Sequence, residues 1–226
     1  MIDQRSDEWF AARAGKITAS RMHDVMTERE RGEFKSGPRK GQPKPQPMAL
    51  VNYAHQLAAE RLTMKPRKQV KAAALAWGQT VEPAAVAAYQ AETGLIVTPA
   101  EFTVHPLYDF IGASPDFLVD DDGGGEIKSP ESGEVHLETL LTGLPEEHVE
   151  QIQGGLWVTG RKYWDFVSYH PDFRPDLRIY IQRISRDEVF ISRLEAACLL
   201  MERDVREIIR KLESGVRNAL EDQRPG

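Results

Sequence analysis

The chain of 226 residues has little of what marks several specialised protein classes. Its single cysteine, Cys198, excludes an internal disulfide, and its position in the apolar run 198–201 is typical of a packed thiol in a reducing compartment. No apolar run approaches the ~20 residues that cross a bilayer. The N-terminus, MIDQRSDEWF, has neither the basic start nor the apolar core of a secretory signal. We therefore expect a globular cytoplasmic protein with no membrane partner.

An excess of positive charge is also absent, because 29 Lys and Arg against 35 Asp and Glu give a formal net charge of −6. A simple nucleic-acid coat protein is usually basic, so the composition argues against that class. The charge is uneven, however. Residues 28–47 are rich in Gly and Pro, and from residue 35 to residue 47 they carry four cations and no acid. We expect a flexible basic loop at 28–47 that is either a DNA-contacting arm or a solvated linker.

Several catalytic motifs are missing. Residues 123–125 are three glycines, but no Gly-Lys-Ser/Thr follows, so they are not a phosphate loop. Residues 120–122 lack the alternate spacing and the later Glu of a calcium loop. The six histidines show no zinc-ligand spacing, and Ser114 is not in a GxSxG motif.

The most informative segment is ASPDFLVDDDGGGEIKSP, which contains Asp116, Glu126 and Lys128. It predicts two short strands joined by a glycine-rich hairpin turn over 120–125. Alternate residues of a strand share a face, so Glu126 and Lys128 point the same way, and the turn brings Asp116 back towards them. Two carboxylates beside an ammonium can hold magnesium and cut a phosphodiester. An exposed hairpin is the alternative, although the apolar residues of both arms favour buried strands.

Other candidate residues lie outside this segment. Glu82, in ALAWGQTVEPAA, can add a carboxylate to a metal nuclease site or be a solvated helix residue. Gln151 or Gln153 can orient a water molecule or be an amide on a helix surface. A compact set of donors near helix ends suits an anion such as a terminal phosphate, or serves only for capping and packing: Arg13, Thr18 and Ser20.

The order of predicted elements is helical first and then mixed, which indicates a mixed α/β layer architecture in one domain, 1–226, with a helical N-terminal region. Hydrophobic periodicity and turn residues predict helices at 6–13, 18–27, 48–63, 69–92 (broken near Gly78 and restarting with Pro83), 145–158 and 187–213. They predict strands at 95–98, 101–104, 109–113, 116–120, 125–128, 163–169 and 178–184.

Five blocks occur along residues 6–185 in this order: ARAGKITAS, ALAWGQTVEPAA, ASPDFLVD, GEIKSP and EQIQGGLWVTG. In these blocks the chain resembles the bacteriophage lambda exonuclease family, the YqaJ-like viral recombinases of the PD-(D/E)XK nuclease superfamily. The resemblance implies a restriction-endonuclease-like core, with a central mixed β-sheet flanked by helices. It also implies a processive 5′→3′ exonuclease that acts on double-stranded DNA ends, releases mononucleotides and leaves 3′ overhangs for a single-strand annealing protein. The implied assembly is a homotrimeric ring, in a bacterial host cell.

The resemblance also implies roles for individual residues. Asp116, Glu126, the backbone carbonyl of Ile127, and Glu82 would hold two Mg²⁺, with Mn²⁺ as a substitute. Lys128 would activate or orient the attacking water, and Gln151 matches the family's motif glutamine better than Gln153. The DNA end would be bound by the side chains of Arg13, Thr18, Ser20, Ser114 and Leu75, with Leu75 wedged between the two strands.

The chain departs from the family in two places. His148 stands where the family has a tyrosine, and the basic loop at 28–47 differs in length and composition. Two further hypotheses remain open from the residues. A restriction-type endonuclease would share the metal core and would cut closed circular DNA. A catalytically silent DNA-end-binding scaffold would use the basic loop and would not need Asp116 or Lys128.

Overall fold

The computed structural model describes residue 4 and residues 6–29, 32–67 and 73–221, with side chains left out for 73–75 and 216–221. Seven α-helices and three short 3₁₀ helices lie in these ranges. Ser6 caps the first helix, because its hydroxyl accepts a hydrogen bond from the Trp9 N–H at 3.1 Å. The α-helices are α1 (Asp7–Arg13), α2 (Met22–Met26), α3 (Met48–Thr63), α4 (Ala73–Thr93), α5 (Gly133–Thr142), α6 (Val149–Thr159) and α7 (Glu188–Glu221), and the 3₁₀ helices are Ala19–Arg21, Glu146–His148 and Pro175–Leu177.

Eight strands form two sheets, so the expected mixed α/β fold is confirmed, with two sheets in place of one. The smaller sheet has the order β1-β4-β3, and the larger has the order β2-β5-β6-β7-β8. In the larger sheet only the β6–β7 pair is parallel. The strands are β1 (Ile17–Thr18), β2 (Val97–Pro99), β3 (Thr103–Val104), β4 (Ile111–Ala113), β5 (Phe117–Val119), β6 (Gly123–Lys128), β7 (Tyr163–Tyr169) and β8 (Ile179–Ser185).

The glycine triplet differs from the prediction. The second arm of the hairpin was predicted to begin at Gly125, but β6 begins at Gly123, and the turn is confined to 120–122, where Asp120 takes a positive φ of 44°. Aromatic rings on the neighbouring strands explain the glycines. A Cβ on Gly124 would lie 2.4 Å from the Trp164 ring, and a Cβ on Gly125 would lie 2.0 Å from the Phe117 ring. Only glycine allows such close approach in a central strand.

Two helices also differ from the prediction. Helix α4 runs without a break through Gly78 and Pro83, because its Val81 and Tyr89 pack on the large sheet and this burial outweighs the poor helix propensity of both residues. Helix α5 was not predicted at all. Its His136 and Thr139 are buried while its leucines Leu137 and Leu141 are exposed, so its apolar residues do not mark the packed face.

Helices α2 and α3 share a hydrophobic core with α7. Cys198 is fully buried there, as predicted, and the centre of the predicted α7 stripe is buried with it. The ends of that stripe, Val189 and Leu212, are exposed. The core therefore joins residues near both ends of the described chain: Ile17, Met22, Val25, Leu50, Tyr53, Leu57, Ile191, Leu194, Cys198, Met201 and Val205. Within the described residues, no helix is both long and apolar enough for a membrane crossing.

Candidate active site

Strands β5 and β6, in the interior of the large sheet, bring the two carboxylates of the hairpin close together. Asp116 immediately precedes β5, and its backbone N–H donates to the Gly125 carbonyl at 3.0 Å. Its Oδ2 accepts a hydrogen bond from the Ile127 N–H at 2.7 Å. On the same face of β6 the Lys128 Nζ donates to Glu126 Oε1 at 2.8 Å. The side-chain alternation that the sequence predicts is thus the one that the strand has.

The electrostatics of this cluster favour a bound cation. Burial and then the Glu126 charge raise the pKa of Asp116 well above its usual value, although the Ile127 N–H and Lys128 oppose the shift. Burial alone would lower the pKa of Lys128, but the charge and hydrogen bond of Glu126 raise it, so Lys128 is an ammonium. One ammonium leaves the two buried carboxylates in mutual repulsion. A divalent cation would relieve that repulsion.

A cavity of about 130 Å³ opens beside these carboxylates, and Glu82 from α4 lines it. Glu82 is also close enough to raise the pKa of Asp116. No group of three or more His, Cys, Asp or Glu side chains is arranged as a metal site among the described residues. Magnesium typically takes only one or two carboxylates and fills its remaining positions with water and phosphate, so the donor set of Asp116 and Glu126 fits that ion.

The two candidate glutamines of α6 have different hydrogen-bond partners. Gln151 accepts a hydrogen bond from Lys128 Nζ at 3.3 Å and so faces the carboxylate cluster. Gln153 is buried on another side, where its amide donates to the Ser185 carbonyl at 2.9 Å and accepts from the Asp187 N–H at 3.0 Å. Gln153 therefore joins α6 to the turn between β8 and α7.

Arg13, at the end of α1, is held by two hydroxyls and an aromatic ring. Its guanidinium donates to Ser114 Oγ at 2.8 Å and to Ser20 Oγ at 3.3 Å. It stacks on the Trp9 ring with 4.1 Å between the guanidinium carbon and the ring centroid. Burial lowers the pKa of Arg13 to about 10. Hydroxyls and a ring fix the guanidinium without neutralising it, which leaves its charge for a ligand.

A narrow cavity of about 20 Å³ links the arginine to the carboxylates. It is lined by Arg13, Ser20 and Ser114 on one side and by Glu126 and Gln151 on the other. Thr18 lies next to this set, with its Oγ1 at 3.3 Å from Ser20 Oγ. Of the sequence-predicted residues only Leu75 is not placed, because its side chain lies outside the described part of α4.

Sequence reasoning missed two supports of the site. Trp9 was not among the candidate residues, yet its Nε1 donates to Ser114 Oγ at 3.1 Å beneath Arg13. Nothing in the local pattern links residue 9 to residue 114. His148 packs against Phe166 with 5.6 Å between ring centroids, and burial and then Lys128 lower its pKa to about 4. The departure from the family tyrosine at position 148 was the available signal for that residue.

Comparison with known proteins identifies the family of the chain. The profile of the YqaJ-like viral recombinase domain matches residues 41–162, which is more than half of the chain. The chain belongs to the YqaJ-like viral recombinase family. No curated protein matches its sequence.

Solved structures extend the likeness over nearly the whole chain. An alkaline exonuclease from Laribacter hongkongensis, LHK-Exo, is 36% identical with a TM-score of 0.82, over 95% of this chain and 100% of that one. The same enzyme in complex with dAMP is 37% identical with a TM-score of 0.80, over the same shares. A phage-related exonuclease from Haemophilus somnus 129PT is 16% identical with a TM-score of 0.65, over 87% of this chain and 96% of that one, and shows the shared fold.

Proposed function

We propose that this protein is a Mg²⁺-dependent exonuclease that degrades one strand of duplex DNA processively from its 5′ end. The chain is a deoxyribonuclease of phage-type recombination, and its products are mononucleotides and 3′ single-stranded overhangs. The observation that carries the proposal is the position of Glu126, which lines both the carboxylate cavity and the cavity that holds Arg13. A phosphate group at Arg13 and a phosphodiester at the carboxylates then lie on one continuous path.

A divalent metal is the general requirement of such nucleases. Two Mg²⁺, or Mn²⁺ as a substitute, would be held by Asp116, Glu126, the Ile127 carbonyl and Glu82. When bound, the metal supplies an activated water and neutralises charge on the phosphate.

The protein's own groups orient the reaction. Lys128 is an ammonium that Glu126 and Gln151 hold by hydrogen bonds at 2.8 and 3.3 Å, so it donates to the attacking water or to a phosphate oxygen and does not take up a proton. Gln151 fixes the direction of that donation. Preorganised donors of this kind stabilise charge that develops in the transition state.

Arg13 supports the choice of the 5′ end. Its planar guanidinium presents parallel N–H donors that match a terminal phosphate with two negative charges, and Ser20 and Ser114 flank it. A 5′-hydroxyl end offers no such charge. The dAMP complex of LHK-Exo contains a deoxynucleoside monophosphate, which is the class of molecule that the proposed reaction releases.

The assembly completes the proposal. The family resemblance supports a homotrimeric ring around the duplex and a single-strand annealing protein that receives the 3′ overhang. A closed ring prevents DNA from leaving sideways, so weak contacts in each subunit suffice for processivity.

A single set of digestions tests this function. Labelled linear duplexes with 5′-phosphate or 5′-hydroxyl ends and a closed circular duplex are incubated with Mg²⁺, and EDTA is added later. We expect the phosphorylated linear duplex to be digested faster than the hydroxyl form, the circle to remain intact, and EDTA to stop the reaction. Cutting of the circle would favour the restriction-type endonuclease, and no digestion would favour the DNA-end-binding scaffold.

A further inference from the structure

A second, larger groove adjoins the Arg13 site. Its volume is about 390 Å³, which falls within the ~300–1,000 Å³ of typical small-molecule sites. Arg13 and Ser20 line both this groove and the narrow cavity that reaches Glu126, so these two residues form a wall between the two spaces. We call it the Arg67 groove, and the polar residues that matter to its chemistry are Lys16, Arg21, Gln56, Glu60 and Arg67.

The Arg67 groove is strongly cationic. Four of its lining residues are Lys or Arg and one is an acid, Glu60. The carboxylate of Glu60 is buried and accepts from the Gly15 N–H at 2.7 Å, the Arg67 N–H at 3.2 Å and the Gln56 amide at 2.9 Å. It is therefore engaged by backbone and amide donors, and the positive potential of the groove remains available for a ligand.

Two guanidiniums converge within the groove on one neutral oxygen. Gln56 Oε1 accepts from Arg67 Nη1 at 3.1 Å and from Arg21 Nη1 at 3.4 Å. Asp24 pairs with the other side of the Arg21 guanidinium at 2.5 Å. Asp24 therefore matches the charge of Arg21. The neutral amide of Gln56, in contrast, orients Arg67 without cancelling its charge. The N–H donors of Arg67, oriented in this way, match the oxygens of a phosphate group.

The groove also presents a partly exposed aromatic ring. Phe10 is half-buried in the lining, whereas the Tyr53 ring is buried beneath the Arg21 guanidinium, with 4.3 Å between the guanidinium carbon and the ring centroid. Alternating cations and rings are typical of surfaces that bind single-stranded nucleic acid, because each base offers a face for stacking and each nucleotide a phosphate. The combination indicates a nucleotide and not inorganic phosphate alone.

We propose that the Arg67 groove is a nucleotide subsite beyond the 5′-terminal position. This rests on the proposed function, in which Arg13 holds the phosphate at the 5′ end of the strand being cut. A blunt or recessed 5′ end stops at Arg13. The ligand of the groove is then a nucleotide that lies past that point, and two sources share its chemistry: the single-stranded 5′ tail of a DNA end, and the mononucleotide that has just been released.

The test measures binding in EDTA, so that it does not depend on cleavage. Three probes are titrated by fluorescence competition: a blunt duplex, the same duplex with a two-nucleotide 5′ tail, and dAMP alone. The variant is Arg67→Ala, whose side chain is exposed and whose backbone N–H contact with Glu60 is retained. The matched control is Arg174→Ala, an exposed arginine in an ion pair with Asp176 at 2.9 Å.

We expect Arg67→Ala to lose about tenfold in binding of the tailed duplex relative to the blunt duplex, and Arg174→Ala to keep the wild-type ratio. The slope of log affinity for the tailed duplex against log salt should fall by ~0.7, the value for one phosphate contact with a single strand. If dAMP binding weakens and the tail ratio does not change, the subsite belongs to the released mononucleotide.

The proposal is overturned if Arg67→Ala changes neither the tail ratio nor dAMP binding. Failure of the proposed nuclease function has a different signature. In that case Mg²⁺ gives no digestion of any linear duplex, while the tail-dependent binding in EDTA still reports on the groove.

Discussion

Arg13 and Lys128 are both half-buried cations, but their surroundings differ. Arg13 is held by two serine hydroxyls and by the Trp9 ring, which do not neutralise its charge. Lys128 is paired with Glu126 at 2.8 Å, so its charge is matched. At the scale of single residues, this difference underlies the separate roles that we propose, phosphate binding for Arg13 and orientation of the reacting groups for Lys128.

The first prediction concerns Lys128. We expect Lys128→Ala to reduce the rate of digestion by about 10²–10³-fold, the range for loss of a preorganised hydrogen-bond donor. DNA binding should remain, because Arg13 and the carboxylates are still present. Cleavage is measured with a 5′-phosphorylated duplex in Mg²⁺, and binding of the same duplex is measured in Ca²⁺. Wild-type rates in the variant would remove Lys128 from the proposed mechanism.

His148 gives a prediction about pH. Its pKa in the folded protein is about 4, lowered by burial and by Lys128, against ~6.5 in an unfolded chain. Between these values the unfolded chain binds a proton that the folded protein does not. The contribution of neutral His148 to the free energy of unfolding is therefore fully present above pH ~6.5 and is lost as the pH falls towards 4.

We expect His148→Phe to remove this loss, which is on the order of 2–3 kcal/mol across the window. Phenylalanine keeps a ring against Phe166. Urea unfolding in EDTA at several pH values between 4 and 7 measures the effect. Parallel pH profiles for the variant and the wild type would contradict the assignment.

At the scale of elements, β6 depends on glycine for its position between β5 and β7. We expect Gly125→Ala to destabilise the protein by about 1–3 kcal/mol, because the new Cβ would lie 2.0 Å from the Phe117 ring and the core must shift. Gly215→Ala in α7 is the control, since no heavy atom lies within 4 Å of its Cβ position. Chemical denaturation measures the free energy of unfolding of the two variants. Equal values would show that the packing of β5 on β6 adjusts to the new methyl group without loss of stability.

The elements also show what the sequence predicts and what it does not. Alternation in β6 and the stripe at the centre of α7 are local patterns, and both predicted the packed face correctly. Helix α5 was missed because its packed face is polar. His136 is buried through hydrogen bonds to Ser168 Oγ at 2.8 Å and to the Leu177 carbonyl at 2.9 Å. Such a face is defined by partners distant in the chain and not by its own periodicity.

The candidate site also contains residues that the sequence predicts and residues that it does not. The acidic and basic residues of the hairpin were found because strand geometry dictates their relation. Trp9 and the Arg67 groove were not found, because each depends on contacts between segments separated by tens of residues. The glycine triplet was misinterpreted for the same reason, since the rings of Phe117 and Trp164 leave no room for a side chain at Gly125 and Gly124. Local rules predict the chemistry of a strand, whereas packing against distant segments is visible only in the fold.

At the scale of the whole molecule, an ion-pair network fastens α3 to α7. Arg61 donates two hydrogen bonds to the buried carboxylate of Glu202, at 3.0 and 2.6 Å, and a third to the Gly15 carbonyl at 2.8 Å. Arg206 donates to the same carboxylate at 2.6 Å. The network therefore connects both helices to the segment that follows Arg13.

We expect Glu202→Ala to destabilise the fold by about 2–4 kcal/mol, because it leaves the largely buried Arg61 without its carboxylate. Glu207→Ala is the matched control. Its exposed pair with Lys211 lies on a single helix, and such pairs contribute only ~0.3–0.5 kcal/mol. Thermal and urea unfolding measure both variants. Similar small losses in the two would mean that the network does not fasten the helices.

The core shared by β1, α2, α3 and α7 has a consequence for biosynthesis. Ile17, Leu50 and Tyr53 obtain their apolar partners from residues 191–205, which leave the ribosome long after them. Chains emerge at ~5–20 residues per second, so the N-terminal helices wait many seconds for those partners. A nascent chain without α7 therefore lacks part of this core, and the native packing of β1, α2 and α3 is completed only after translation has passed that helix.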